Sequence, residues 1–319
     1  MIELDVKDRK ILYQLDLDSR QSFRSLGKKV GLSKDVVTGR VKKLQEKGVI
    51  KGFRAIVDYS RVGFNLYRFY FSFQNVSPEL KQEIISYFFK NKYSTDIVSL
   101  EGKFDLLVAI CVQNNPQAYE FWEQALKRYG KYFSERVFTA FCQGEYYANR
   151  FLVDQKEFPP KKICQWFDSG KRLEIDEVDH QIIKDISEYS RISTVKLAQS
   201  LDLTAVAVNN RLKKLLDAGI IVAYRLGIDF NKIGYFLYKV NIELNQFESV
   251  DGIVKYIKSN PHFIYICKSI GYVDLEVGFV LRNTHELRQI MEDVSSRFPE
   301  AIKDYSYFSI VKVHKTWGF

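Results

Sequence analysis

Arg40-Val41-Lys42-Lys43-Leu44, followed by Gly48-Val49-Ile50, returns 171 positions later as Arg211-Leu212-Lys213-Lys214-Leu215, followed by Gly219-Ile220-Ile221. Working outward at the same offset, Asp8 to Phe71 pairs with Asp179 to Ile242, and about 19 of the 64 pairs are identical. Past a two-residue gap the offset becomes 169, and Gly102-Lys103-Phe104-Asp105-Leu106 meets Gly271-Tyr272-Val273-Asp274-Leu275. That period is far longer than a solenoid repeat, so the 319 residues form a duplicated two-domain unit. Pro159-Pro160 and Ser169-Gly170 break the stretch between the copies, while Trp166 and Phe167 in the same stretch call for burial. The expected division is 1–60 and 61–149 for the two domains of copy one, 150–175 for a linker, and 176–230 and 231–319 for copy two.

Each copy opens with three short helices. Asp5 is placed to cap the first, whose apolar stripe is Ile11, Leu12 and Leu15; Asp176 with Ile182, Ile183 and Ile186 repeats the layout. Ser22 and Ser193 suit the start of the second helix, Ser33 and Thr204 that of the third. Gly31 ends the second helix in copy one, whereas Asp202 holds that place in copy two. Val37, Val41 and Leu44 form a buried stripe on the third helix, and Gly48 and Gly219 suit the left-handed position just past it. Two short capped helices joined by a tight turn, the second one basic, make a helix-turn-helix.

Charge singles out the same element. Arg20 to Arg54 holds eleven Lys or Arg against two acids, and the matched stretch Arg191 to Arg225 holds six against two. Such concentration on the helix that enters a groove favours DNA over a merely solvated surface. With the apolar stripe inward, the outward positions of copy one are Lys34, Asp35, Thr38, Gly39, Lys42 and Lys43. Those of copy two are Ala205, Val206, Asn209, Asn210, Lys213 and Lys214. The two asparagines are able to pair bidentately with adenine. Arg40 and its mate Arg211 lie at the border of the buried face, where a phosphate clamp and an ion pair inside the domain both fit.

After each helical domain, strands and helices alternate. Leu66 to Val76 reads as a strand and Pro78 to Lys92 as a helix; Thr95 to Leu100 and Phe104 to Gln113 are strands about the turn Glu101-Gly102-Lys103. Pro116 to Tyr129 is a second helix and Phe133 to Cys142 a last strand, with the same order from about Tyr235 to Lys312. The order βαββαβ is ferredoxin-like, one sheet with two helices on one face. The fold class is therefore α+β: two helix-turn-helix (winged-helix-like) domains alternating with two ferredoxin-like βαββαβ domains. The open sheet faces are expected to pair within the chain as a pseudo-dimer, with Phe71 or Phe73 facing the second sheet. The aromatics read as strand core rather than as stacking platforms for single strands.

Composition limits the alternatives. A net charge of +9 suits a polyanionic partner, and 24 Phe with 20 Tyr suffice for real cores. Cys111, Cys142, Cys164 and Cys267 are dispersed, as are His180, His262, His285 and His314, so neither a metal site nor a cofactor is expected. A charged N-terminus and no long apolar run point to a cytoplasmic protein without membrane contact. No nucleophile–base pair or Gly-rich phosphate loop suggests an enzyme.

Leu4-Asp5 with Asp8 and Ile11-Leu12, Arg40-Val41 with Leu44, Gly48-Val49-Ile50, and the two Gly-x-x-Asp turns together resemble the Lrp/AsnC (leucine-responsive/asparagine regulator, feast/famine) family of transcription regulators. The resemblance covers nearly the whole chain, twice. It implies effector domains paired sheet to sheet, further self-association, and a small-molecule effector such as an amino acid near Gly102 and Asp105 or Gly271 and Asp274. A glycine in such a turn is also explained by the hairpin alone. Glu101 and Ile270, before the glycines, depart from the small or hydroxyl residue usual in the family. Glu101 sets a negative charge where an effector carboxylate would lie, which favours the second turn. Two other readings stand beside regulation: a DNA-inactive interaction module, and a sirohaem-decarboxylase-like enzyme of haem biosynthesis. Such enzymes carry a His- and Arg-containing strand where this chain has Ile97-Val98-Ser99-Leu100-Glu101 and Ile266-Cys267-Lys268-Ser269-Ile270.

Overall fold

The structure, a computed structural model, describes residues 1–167 and 172–316; Ser169-Gly170 of the linker lie outside the described residues. Copy one begins with α1 (Val6–Leu17), α2 (Phe23–Val30) and α3 (Lys34–Glu46), and copy two with α6 (Glu177–Glu188), α7 (Thr194–Ser200) and α8 (Ala205–Asp217). Asp5, Ser22 and Ser33, and then Asp176, Ser193 and Thr204, each accept a hydrogen bond from the backbone N–H three residues on. Each cap satisfies a donor that the helix itself cannot, worth about 1 kcal/mol. Val37, Val41 and Leu44 are buried beneath α3, as are Val208, Leu212 and Leu215 beneath α8.

A strand follows each set of helices, β1 (Ile50–Val57) and β7 (Ile221–Ile228), and these two strands pair with each other antiparallel. Leu226, Ile233 and Tyr235 of copy two thereby enter the core of the first helical domain, and Ala55, Val57 and Tyr59 of copy one enter the core of the second. The exchange makes one rigid unit of two heads.

The remaining strands of copy one are β2 (Asn65–Phe73), β3 (Ser94–Gly102), β4 (Leu106–Val112) and β5 (Phe133–Tyr147), with α4 (Pro78–Lys90) and α5 (Asn115–Tyr129). Copy two supplies β8 (Phe236–Leu244), β9 (Phe263–Gly271), β10 (Leu275–Leu281) and β11 (Ile302–Lys315), with α9 (Val250–Ser259) and α10 (Thr284–Arg297). The order β2-β4-β3-β11-β8-β10-β9-β5 closes by pairing β5 with β2, and β6 (Lys162–Phe167), from the linker, adds to the outside of β5. Each copy keeps the ferredoxin-like order. The copies join at two seams, β5 with β9 and β11 with β3, both antiparallel, so the effector domains pair within one chain.

Which residues face inward differs from the sequence expectation. Phe71 is packed with Phe88, Phe121 and Phe133 under α4 and α5, and partly buried Phe73 lies against the same cluster; neither faces the second sheet. The helices claim the odd-numbered side of β2, so Arg68 and Tyr70 look into the closed ring. A one-residue error in a period of two exchanges the faces.

The ring interior holds a polar network beside an apolar cluster of Tyr70, Val98, Leu100, Leu107 and Phe308. The Arg68 guanidinium lies 2.6 Å from Glu276 across the two copies, Lys239 pairs with both Glu276 and the Tyr70 hydroxyl, and Thr139 donates to Glu276 at 3.0 Å. Arg68 and Lys239 are repeat mates at offset 171, whereas the mate of Glu276 at offset 169 is Leu107. Two related cations thus share one carboxylate. Burial pushes the Glu276 carboxyl up, but Arg68 and then Lys239 outweigh it and hold it at about 2. Burial depresses Lys239 to about 8 despite the pull of Glu276.

Candidate nucleic-acid interface

Lys34, Asp35, Thr38, Gly39, Lys42 and Lys43 all lie on the exposed side of α3, and Val206, Asn209, Asn210, Lys213 and Lys214 on that of α8; Ala205 is half-buried. The alternation follows from the apolar stripes, which turn these helices inward and leave the opposite side in water. Thr38 donates its hydroxyl to the Lys34 carbonyl at 2.8 Å, so its methyl and oxygen lone pairs face outward along the helix.

The border arginines have a settled place. Arg40 lies 2.6 Å from Asp5 and 2.7 Å from Asp8, and Arg211 lies 2.8 Å from both Asp176 and Asp179. Hydrogen bonds first to Asp5 and then to Asp8 raise the Arg40 pKa, while the Asp8 backbone N–H and the Arg40 guanidinium lower that of Asp5. Of the two alternatives open in the sequence, the geometry shows the intra-domain ion pair. These arginines bind α3 to the cap of α1 and α8 to the cap of α6.

Other cations of the basic stretch are also engaged inside the protein. Arg20 donates to the Ser190 carbonyl, Arg191 donates to the Ser19 carbonyl at 2.5 Å, and the Ser19 and Ser190 hydroxyls meet at 3.0 Å. This reciprocal clasp of the repeated Ser-Arg dipeptide ties the two heads together. Arg225 is buried against Asp16 at 2.8 Å, and Asp16 also accepts from the Asn149 backbone and side chain at the foot of β5. Lys42 lies 3.8 Å from Glu46, Lys51 3.1 Å from Asp229, and Lys214 3.9 Å from Asp179. Among the described residues, Arg24, Lys28, Lys29, Lys34, Lys43 and Lys47 are exposed cations of copy one's basic stretch outside any ion pair, and Lys196 and Lys213 are those of the matched stretch in copy two. The imbalance between the heads survives once internal duties are subtracted.

Two surface features bear on close approach. Gly39 sits mid-helix with nothing within 4 Å of where a Cβ would stand, so packing inside the chain does not require it. Val36 is 46% exposed on the first turn of α3, and Val206 is 68% exposed on that of α8. Val36 escaped the sequence reading because it neighbours buried Val37; its only signal is a helical position one residue off the apolar stripe. Exposed apolar groups here suit the methyl of thymine.

The Gly-x-x-Asp turns lie at the seams. A Cβ on Gly102 (φ 138°) would stand 2.7 Å from the Tyr307 carbonyl oxygen, and one on Gly271 (φ 120°) 2.7 Å from that of Phe138. Both glycines therefore let one copy's turn approach the other copy's last strand. Asp105 accepts from the Phe73 N–H at 2.7 Å and Asp274 from the Leu244 N–H at 2.8 Å, each closing the end of a neighbouring strand. Only one oxygen of each is used in that bond. Beside Asp274 lies a cleft of about 360 Å³, which Lys268, Ser269 and Asp251 also line. Lys268 is 3.7 Å from Asp251, and the buried Ser269 hydroxyl has no partner among the described residues. Beside Asp105, Lys81 approaches at 4.0 Å and Glu101 is exposed.

A winged helix-turn-helix DNA-binding family model matches residues 4–51 and 175–222, one match in each copy. The HTH-type transcriptional regulator Ptr1 of Methanocaldococcus jannaschii is 35% identical over 112 residues, 34% of this chain and 70% of that protein. The regulator FL11 of Pyrococcus furiosus is 30% identical over 118 residues, 37% of this chain and 77% of its own length. Each alignment takes up about a third of this chain and most of the relative, as a chain holding two copies requires. The chain belongs to the Lrp/AsnC family. As an Lrp/AsnC protein it is a DNA-binding transcription regulator with two winged helix-turn-helix domains. The sirohaem decarboxylase NirDL overlays on 98% of this chain and 93% of its own, with a TM-score of 0.64 and 12% identity. That likeness shows a shared fold alone. Among the described residues no helix is long and apolar enough to cross a membrane, and no group of His, Cys, Asp and Glu is arranged to hold a metal ion.

Proposed function

We propose that this Lrp/AsnC protein reads an asymmetric operator with two unequal recognition helices, under the control of a zwitterionic effector held beside Asp274. The imbalance of unengaged surface cations carries the first part. Copy one offers more charge for phosphates, and copy two offers Asn209 and Asn210 for base edges. Because the clasp and the β1–β7 pairing lock the heads together, both helices meet one duplex in a fixed relation. Lys34, Lys42, Lys43, Lys213 and Lys214 then take phosphates, Thr38, Val36 and Val206 lie against base edges, and Asp35 repels misplaced backbone.

The effector reading rests on the cleft at Asp274. An ammonium group placed against the second Asp274 oxygen and the Ser269 hydroxyl leaves a carboxylate within reach of Lys268. Gly271 supports the same turn. The matching place in copy one, at Gly102 and Asp105, carries Glu101 and is the poorer site. Four free thiols agree with a reducing cytoplasm.

Selection of bound fragments from random DNA tests the regulator reading. The expected product is one motif with two dissimilar halves; recovery of no motif contradicts it, and a perfect palindrome contradicts unequal heads. Calorimetry with amino acids on wild type and Asp274→Ala tests the effector site. Equal heats from both proteins remove Asp274 from it, and a sirohaem absorbance change on turnover favours the enzyme reading instead.

A further inference from the structure

On the outer face of copy one, beside the β5–β9 seam, a cleft of about 400 Å³ lies between the first turns of α5 and the strands β2 and β5. Its walls are Tyr67, Phe69, Tyr119, Trp122 and Phe138, with Asn115 at one end. Phe69 stacks on Trp122 with centroids 5.0 Å apart and lies 5.9 Å from Phe138, so three rings form a continuous floor. Tyr119 and Phe138 are large rings left 64% and 48% exposed at the mouth. Water contact with so much clustered aromatic surface is unfavourable unless something covers it.

Copy two keeps only part of this cleft. At matched positions Tyr67 and Phe138 stay aromatic as Tyr238 and Tyr307, but Phe69 becomes Val240, Tyr119 becomes Arg288 and Trp122 becomes Met291. The ferredoxin-like core therefore does not require the ring at Phe69, at Tyr119 or at Trp122. Size and lining, predominantly aromatic with a few polar groups, are those of a small-molecule site.

The polar features select the ligand's other end. The Tyr67 hydroxyl donates to Asn115 Oδ1 at 2.8 Å, fixing that amide at the rim with its nitrogen as a remaining donor. The first turn of α5 holds no acid, so the partial positive charge of the helix start is not cancelled. The matching turn of α10 carries Glu286. We propose that this cleft binds an aromatic carboxylic acid, ring against Phe69, Trp122 and Phe138 and carboxylate toward Asn115 and the start of α5, at one site per chain. The site is distinct from the cleft at Asp274 and does not rest on DNA binding.

Calorimetry of the full chain without DNA tests this, using indole-3-acetate, tryptamine and cyclohexylacetate. The expected result is one indole-3-acetate per chain, with tryptamine and cyclohexylacetate each weaker by about tenfold or more, a ring or charge interaction of ordinary size. Tyr119→Arg, which installs the side chain of copy two, and Phe138→Ser should each weaken indole-3-acetate by about tenfold or more. Both positions are exposed, and unchanged thermal melting confirms that the fold is kept. Asn115→Asp, which sets a negative charge at the start of α5, should narrow the preference over tryptamine. No heat, two equivalent sites per chain, or equal affinity in the variants overturns the proposal. So does a fall in sedimenting mass on Tyr119→Arg or Phe138→Ser, which makes the surface a contact between chains.

Discussion

Gly39 shows how a single residue separates stability from function. Glycine in a helix interior costs roughly 0.5–1 kcal/mol relative to alanine, and the open space at Gly39 means the chain gains nothing in packing from it. Gly39→Ala should therefore raise unfolding free energy by about that amount in urea titration, while weakening DNA binding measured in parallel. On the proposed reading the added methyl stands where the helix surface meets the duplex. A variant that is more stable and binds equally well takes Gly39 out of the interface. Arg40 teaches the complement: an arginine on the recognition helix is paired with Asp5 and Asp8 and ties α3 to the cap of α1.

At the scale of elements, helix ends were the most legible part of the sequence. Ser33 and Thr204 mark the starts of α3 and α8, and Gly31 the end of α2, because capping chemistry is local. Asp202 ends α7 in the same left-handed geometry, φ 53°, against 67° for Gly31. A side chain there costs about 1 kcal/mol that glycine avoids, so Asp202→Gly should raise the thermal midpoint. A lowered midpoint would show that the aspartate contributes more at that helix end than its backbone strain costs. What was not legible depends on partners far along the chain. The continuation of β5 through Gln143 to Tyr147 exists because β9 on one side and β6 on the other bond to it. The β1–β7 pairing joins segments 171 residues apart, with no local signal. In β2, rings at Phe69, Tyr70, Phe71 and Phe73 made both faces look apolar, and only the placement of α4 and α5 decides between them. For the candidate site, exposure along α3 and α8 follows from helical periodicity, whereas the engagement of Arg20, Arg40 and Arg191 needed the tertiary structure.

The whole molecule is held together by a network that neither copy owns. Glu276→Leu, which installs the side chain of its repeat mate Leu107, strands Arg68 and Lys239 inside the ring, and removing one partner of a buried ion pair costs about 3–5 kcal/mol. Replacing all three by apolar residues should recover most of that loss in chemical denaturation, since no buried charge then remains. The pH dependence has two windows of opposite origin. The lowered Glu276 pKa contributes stability that is present above its unfolded value of 4.5 and lost as pH falls toward about 2. The lowered Lys239 pKa makes its protonated form a burden, so stability should rise between about 8 and the unfolded value of 10.5. Absence of the alkaline rise in wild type, or its persistence in Lys239→Met, removes Lys239 from that account. The central claim is that duplication and divergence have made two unequal heads on one rigid frame. The salt dependence of DNA affinity, followed by fluorescence anisotropy, tests it most directly, because each phosphate neutralised contributes about 0.9 to the slope of log affinity against log salt. Lys34, Lys42 and Lys43 changed together to alanine should flatten that slope by about two, because Glu46 already draws Lys42. Lys213 and Lys214 changed together should flatten it by about one, because Asp179 likewise draws Lys214. Equal flattening by the two sets, or none by either, would contradict the unequal heads.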